Sequence, residues 1–262
     1  MRCTVVGHVE WVEFARVQRM PAAGEIVHAE RVWEEPAGGG AVVARQLALL
    51  AGGCTFQTAL GDDTLGHASA ERLGALGIDL RVEWRDDSPT RRAWTHVDAA
   101  GERTITVLGD KLLADGPLDV ARADLVFFVS GTVAALRAAR AARFVAATVR
   151  ELGTLKAAGV PIDLLVASAN DRGEQYDGSL QTRHVALTNG AAGGTLDGVP
   201  YSADDPGTIV DTYGAGDSFA AALAFALARG DPPEEAVVLA AAAGASVIRG
   251  AGPYERQLAC RS

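Results

Sequence analysis

Asp217 closes a run of small residues, Gly214-Ala215-Gly216, inside the stretch Asp211-Thr-Tyr-Gly-Ala-Gly-Asp-Ser-Phe219. Thr208-Ile209-Val210, a β-branched run that reads as a strand end, precedes it; the Ala- and Leu-rich run 220–229 follows with good helix propensity. The small residues and the carboxylate therefore fall at a loop-to-helix junction. The first turn of a helix carries backbone N–H groups without internal partners, and the helix dipole adds partial positive charge there. Glycine lets a ligand approach those donors closely. Such a junction holds an anion, often a phosphate. A carboxylate beside an anion hole makes chemical sense if it removes a proton while the hole stabilises charge on a group in transfer. Gly-x-Gly-Asp before a helix is also a common turn with an Asp cap, so the rest of the chain has to decide between the two readings.

Composition narrows the classes. The chain has 262 residues, 48% of them apolar, enough for a substantial core, and a net charge of −9. That charge argues against nucleic acid as a partner, because phosphate backbones demand clustered Lys and Arg. Neither lysine, Lys111 or Lys156, follows a glycine, so no Walker A loop is present. Cys3, Cys54 and Cys260 are too far apart for a metal spacing, and the scattered histidines match no zinc motif; a structural or surface role is expected for each histidine. An odd cysteine count without a secretory signal fits a cytoplasmic protein. No apolar run reaches the ~18–20 residues of a membrane span.

The elements that must position the junction come next. Cys3–Gly7 reads as a buried strand, and residues 8–17 continue with partial alternation. Pro21–Gly24 is a turn, after which Ile26-Val27 restarts an extended run. Gly38-Gly39-Gly40 opens an apolar run of helical length, 41–51, and lets a ligand approach its first N–H groups. It is not a dinucleotide fingerprint, since Val43 stands where the third glycine belongs. A nicotinamide-dependent dehydrogenase is disfavoured for the same reason. Residues 91–97 and 103–108 flank a turn and suggest a hairpin. From residue 124 apolar β-rich runs alternate with helical ones, which implies a parallel sheet covered on both faces. Ligands gather at the carboxyl ends of such strands, and 170–174 and 188–190 fall there.

The stretch 211–219 resembles the carboxy-terminal signature of the ribokinase-like, or PfkB, carbohydrate kinases, Asp-Thr-x-Gly-Ala-Gly-Asp before a helix; Tyr213, at the free position, is unusual. The resemblance extends over nearly the whole chain. It implies a three-layer α/β/α fold around a mostly parallel sheet, one domain over 1–262, with a small β lid from segments near 10–33 and 82–108. It implies ATP-dependent phosphorylation of a hydroxyl on a small sugar, sugar derivative or nucleoside. Asp217 would be the base, and Gly214, Ala215 and Gly216 the anion hole for the γ-phosphate.

By the same resemblance, Gly38 and Gly39 lie under the sugar. Val12 and Val43 stand where the family carries the polar Asp and Asn that bind its hydroxyls, and Glu10, on the same strand face as Val12, could supply the lost acceptor. An acceptor bearing an amine or other cation near Glu10 is an informative one to test. Asn170 and Glu174 resemble the Asn-x-x-Glu motif that arranges Mg2+ through water, one residue too long, with Asp171 a competing ligand. Thr188, Asn189, Gly190 and Gly193 resemble the nucleotide loop. Gly193-Gly194 and Asp197-Gly198 read equally well as hairpin turns. Arg103 faces a substrate anion or sits on the surface. The loop at 249–252 resembles the part that holds a monovalent cation in some members. The edges of a lid sheet need covering, which makes a homodimer through the lid an expectation. The rival reading is a catalytically silent nucleotide- or sugar-binding member of the same fold, suggested by the two valines.

Overall fold

A strand such as Leu125-Val-Phe-Phe128, apolar at every position and buried throughout, belongs in the middle of a sheet covered on both faces. The computed structural model describes residues 1–260 apart from 117, 119 and 121. In chain order the elements are β1 (Cys3–Val6), β2 (Glu10–Arg16), β3 (Arg31–Ala37), α1 (Gly39–Ala51), β4 (Thr55–Gly61), α2 (Thr64–Ala75), β5 (Asp79–Arg85), β6 (Arg92–Val97), β7 (Arg103–Leu108) and β8 (Leu125–Phe128). There follow α3 (Val133–Ala139), β9 (Phe144–Thr148), α4 (Leu152–Ala158), β10 (Ile162–Ser168), β11 (Thr182–Thr188), β12 (Gly194–Leu196), β13 (Val199–Tyr201), α5 (Ala215–Arg229) and α6 (Pro233–Val247).

The large sheet runs β13-β12-β11-β10-β9-β8-β1-β4-β5. Its strands pair in parallel from β11 through β5, and only β12 and β13 join antiparallel at one edge. Side chains alternate across it with period two. Val5, Leu125 and Phe127 point into a core shared with α1, α2, α5 and α6, while Val6, Val126 and Phe128 meet α3 and α4 on the other face. The expected three layers result. Truncating a fully buried ring such as Phe127 to alanine would cost about 3–5 kcal/mol.

A second sheet, β3-β2-β6-β7, stands over the carboxyl ends of the large one. Its root is a small cluster of Val12, Phe14, Ala37, Ala93 and Val97 packed on Val42 of α1 and on Tyr213. Phe14 stacks flat on Trp33, with centroids 4.8 Å apart, and meets Tyr213 edge-on at 5.2 Å.

Three expectations shift. The lid's first segment runs on to Ala37, past residue 33, and residues 82–85 lie in β5, paired in parallel with β4 of the large sheet; the second lid segment therefore starts at β6. Ile26-Val27 joins no ladder, and Ile26 is exposed. Thr208-Ile209-Val210 is not a strand. Its backbone is held by the end of α6 and by the lid instead: the Val210 N–H donates to Ile248 O at 2.8 Å, and Arg16 at the end of β2 donates to Val210 O at 2.7 Å. Tertiary partners outweigh β-branched propensity there. Among the described residues, no helix is long and apolar enough to cross a membrane.

Candidate active site

Two helices begin at the same point. Gly38 (φ 87°) caps α1 and Gly214 (φ 82°) caps α5, each in a backbone conformation that favours glycine. Gly40 is squeezed against the end of β1, where a Cβ would stand 2.6 Å from His8 O, so the start of α1 is pressed onto that strand. The loop before α5 is held from both sides. Arg103 donates to Thr212 O at 3.1 Å and to Thr212 Oγ1 at 3.3 Å, and the Thr212 N–H donates to Gly101 O at 2.9 Å, all from the lid. The Gly252 N–H donates to Asp211 Oδ2 at 2.9 Å from beyond α6.

Asp217 lies in the first turn of α5, with Oδ1 3.1 Å from where a Cβ on Gly39 would stand, so its carboxylate faces the start of α1. Among the described residues that carboxylate accepts no hydrogen bond and joins no ion pair. The N–H groups of Gly216 and Asp217 are likewise unpaired, and that of Ala215 reaches Thr212 O only at 3.4 Å. Burial pushes the Asp217 pKa up, against the opposing pull of Arg103 and Arg150. A half-buried carboxylate without a partner, beside free N–H donors, suits proton removal next to a bound anion.

A cleft of about 770 Å³ opens between the lid and the carboxyl ends of the strands, and His8, Glu10, Gly38, Gly39, Gly214, Gly216 and Asp217 all line it. At the lid end, His8 Nδ1 is 2.9 Å from Ser130 Oγ, His8 Nε2 is 3.7 Å from Glu10 Oε1, and Arg91 Nη1 is 3.1 Å from the same oxygen. Burial drives the His8 pKa well below the usual imidazole value, so the ring is neutral at physiological pH. Burial raises Glu10, while Arg91 and Lys111 pull it down. Lys111 Nζ is 2.7 Å from Glu151 Oε1.

Toward the opposite end, Thr148, Ser168, Asn170, Asp171, Glu174 and Thr188 line the cleft at the ends of β9, β10 and β11. Arg150 bridges Asp171 and Glu174, the latter at 3.0 Å. Burial raises the Glu174 pKa, against the opposing charge of Arg150. Asn189, Gly190 and Gly193 sit on the turn into β12 rather than along this wall. Gly193 (φ 84°) has its own structural reason, because a Cβ there would collide with Tyr201 O.

The profile of the pfkB family carbohydrate kinases matches residues 2–128 and 132–258. The chain belongs to this family. An ATP-dependent ribose-1-phosphate kinase from Halopiger xanaduensis is 32% identical over 249 residues, covering 84% of this chain and 83% of that protein. A ribokinase from Dictyostelium discoideum is 30% identical over 125 residues, 47% of this chain and 39% of that one. The structure of Arabidopsis thaliana ribokinase complexed with ribose and ATP superposes with a TM-score of 0.74 at 23% identity, over 97% of this chain and 95% of that one, which shows the shared fold.

For a pfkB family kinase, the signature stretch was the legible part of the sequence. Arg91, Lys111, Arg150 and His8 were not singled out, although all line the cleft. Arg150 had one available signal: it stands two residues past the end of a buried strand in a parallel-sheet pattern. His8 had another, as a polar residue between β1 and β2.

Proposed function

We propose that this protein transfers the γ-phosphoryl group of ATP to a hydroxyl of a small sugar, sugar derivative or nucleoside. One observation carries the reading: the Asp217 carboxylate, without a hydrogen-bond partner, sits beside the free N–H groups of α5 in the same cleft wall. The acceptor oxygen attacks the γ-phosphorus, its proton passes to Asp217, and the bond from phosphorus to the bridging oxygen breaks to release ADP. The N–H groups of Gly216 and Asp217, with Gly214 and Ala215 shaping the turn, hold the phosphoryl oxygens as charge develops. Arg103 and Arg150 bring positive charge to the same place. Little covalent chemistry is asked of the protein, so positioning and charge stabilisation dominate.

Gly38 and Gly39 form the floor under the acceptor, and Glu10 reaches it from the lid. Thr188 and Asn170 face the nucleotide, with Asn189, Gly190 and Gly193 at its outer edge. Asp171 and Glu174, after the end of β10, are both held by Arg150; released from it, Glu174, with Asp171 beside it, would hold Mg2+ through water, and that ion would neutralise charge on the phosphates. A monovalent cation near 249–252 is read by turnover in K+ against choline. The lid sheet, with Val32 on its edge strand β3 69% exposed and Trp94 on β6 48% exposed, suits a homodimer through the lid, read by light scattering. Such an enzyme, with Cys3, Cys54 and Cys260 all free, suits the cytoplasm.

The valines that favoured a silent binder have another account. Val12 is fully buried under the lid and Val43 in the main core, so neither is a stripped ligand position facing the cleft. The relatives' names cover both ribose and a ribose phosphate, and so leave the acceptor open. The test is ATP consumption with Mg2+ across sugars, sugar derivatives and nucleosides, with Asp217→Asn as the blank. Wild-type turnover that the blank matches would sink the proposal.

A further inference from the structure

Two side chains meet the start of α1 at neighbouring points. The phenol oxygen of Tyr213 lies 3.1 Å from the Gly38 nitrogen and accepts its N–H. Asp217 Oδ1 lies 3.1 Å from where a Cβ on Gly39 would stand. The phenol and the proposed base thus attend consecutive residues, whose Cα atoms are about 3.8 Å apart. Tyr213 and Asp217 both line the cleft.

A phenol donates as well as accepts. Tyr213 spends its acceptor side on Gly38, and among the described residues nothing accepts its O–H. Glu10 and Asp217 act on it through charge, without a hydrogen bond, and Glu10 is turned to Arg91 at 3.1 Å. A buried donor without an acceptor is costly, and native proteins keep few of them. Burial, with the charges of Glu10 and Asp217 adding to it, holds the phenol pKa well above its ordinary value, so the O–H keeps its proton through the neutral range. The group is also fixed in place. Its ring meets Phe14 edge-on at 5.2 Å, and the Tyr213 backbone N–H donates to Asp211 Oδ1 at 2.9 Å. Phenylalanine would fill the same apolar cluster, so packing accounts for the ring but not for the unspent proton.

We propose that Tyr213 is a specificity-determining residue: its O–H donates to a second oxygen of the acceptor, beside the hydroxyl presented to Asp217, and a molecule lacking that oxygen is used poorly. A donor fixed before binding loses little freedom when the acceptor arrives. A site built to hydrogen-bond an oxygen discriminates strongly against the analogue without it, because its own polar group is then left unpaired. The inference rests on the kinase reading above and adds one requirement to its acceptor.

The experiment pairs Tyr213→Phe with single-deoxy acceptors: ribose, adenosine and the best acceptor of the panel above, each beside its forms lacking one hydroxyl. In wild type, loss of one particular oxygen should lower kcat/KM about tenfold or more. Tyr213→Phe should lose about the same factor on the complete acceptor, through KM for the acceptor with KM for ATP unchanged. On the analogue lacking that oxygen, variant and wild type should be equal, while removal of any other hydroxyl costs both proteins alike. A loss in Tyr213→Phe that is the same on every acceptor is a structural effect and overturns the proposal, as does no loss on any. The kinase reading stands in both cases, because the Asp217→Asn blank decides it separately. Should Tyr213→Phe fail to fold, crystals of wild type with the preferred acceptor decide instead. Tyr213 Oη should lie within about 3.0 Å of an acceptor oxygen other than the one facing Asp217, and the lack of such an oxygen overturns the proposal. Absent turnover with every acceptor sinks the kinase reading, and this inference falls with it.

Discussion

The phenol oxygen of Tyr213 accepts a hydrogen bond from the backbone N–H of Gly38 at 3.1 Å, in a buried position. One side chain thereby ties the signature loop to the glycine start of α1, while its ring meets Phe14 of the lid edge-on. Tyr213→Phe keeps the ring and leaves a buried N–H without its acceptor. The expected loss is about 1–3 kcal/mol of unfolding free energy, read from urea titration. A value within about 0.5 kcal/mol of wild type would assign the phenol no structural part.

Asp217 links activity and stability with opposite signs. Asp217→Asn removes the proposed base and should lower kcat at least about 10²-fold, with nucleotide affinity nearly intact. Burial raises the carboxyl's pKa above its ordinary value of 3.8. An acid raised in the folded state favours folding while protonated; that contribution is complete below the unfolded pKa and lost as pH rises through the folded one. At neutral pH the wild type therefore bears the cost of a desolvated carboxylate, and Asp217→Asn should melt higher there, with the gain vanishing in acid. The acid limb of wild-type kcat should lie above the ordinary carboxylate range. A variant that melts lower than wild type at neutral pH would contradict this account of the site.

The parts of the molecule that were legible in the sequence are those fixed locally. Asp217 and the glycines around it are readable because helix starts and positive φ demand particular residue types. The parallel sheet is readable because buried strands are apolar throughout, as in Leu125–Phe128. Pairings between distant segments were not readable. Nothing near Arg91 says that it meets Glu10, or near Arg150 that it bridges Asp171 and Glu174. Thr208–Val210 misled for the same reason: its composition suits a strand, but its partners are Ile248 and Arg16.

Gly214 and Gly216 should respond differently to the same substitution. Gly214 has φ 82°, and a Cβ there would lie 3.1 Å from Val42 Cγ1 and 3.3 Å from Pro253 Cβ, so Gly214→Ala should lose about 1–2 kcal/mol of stability. Gly216 has ordinary helical backbone and open space where its Cβ would stand. Gly216→Ala should match wild type in stability, or gain up to about 1 kcal/mol from helix propensity, yet lose turnover, because the added methyl stands where phosphoryl oxygens approach the N–H groups. Full activity in a folded Gly216→Ala protein would place the anion elsewhere.

Glu35 should give the stability curve its shape near neutrality. It lies on β3, accepts a hydrogen bond from Trp33 Nε1 at 3.1 Å, and fills the space beside Gly252, the residue whose N–H holds Asp211. Burial pushes its carboxyl up to about 7; the Trp33 hydrogen bond opposes this, the nearby Asp211 charge adds to it, and Arg72 and Arg31 act weakly against it. With the folded pKa above the group's ordinary value of 4.5, protonation favours the folded state, and that contribution fades as pH rises from about 4.5 through about 7. Glu35→Gln keeps the shape and the acceptor for Trp33 without the charge. The variant and wild type should melt together near pH 4, and the variant should melt higher by pH 8, on the order of 2–4 °C, the response of a domain this size to about 1 kcal/mol. Melting followed from pH 4 to 8 checks it, and a difference that is constant across that range would mean that Glu35 does not titrate in the folded protein.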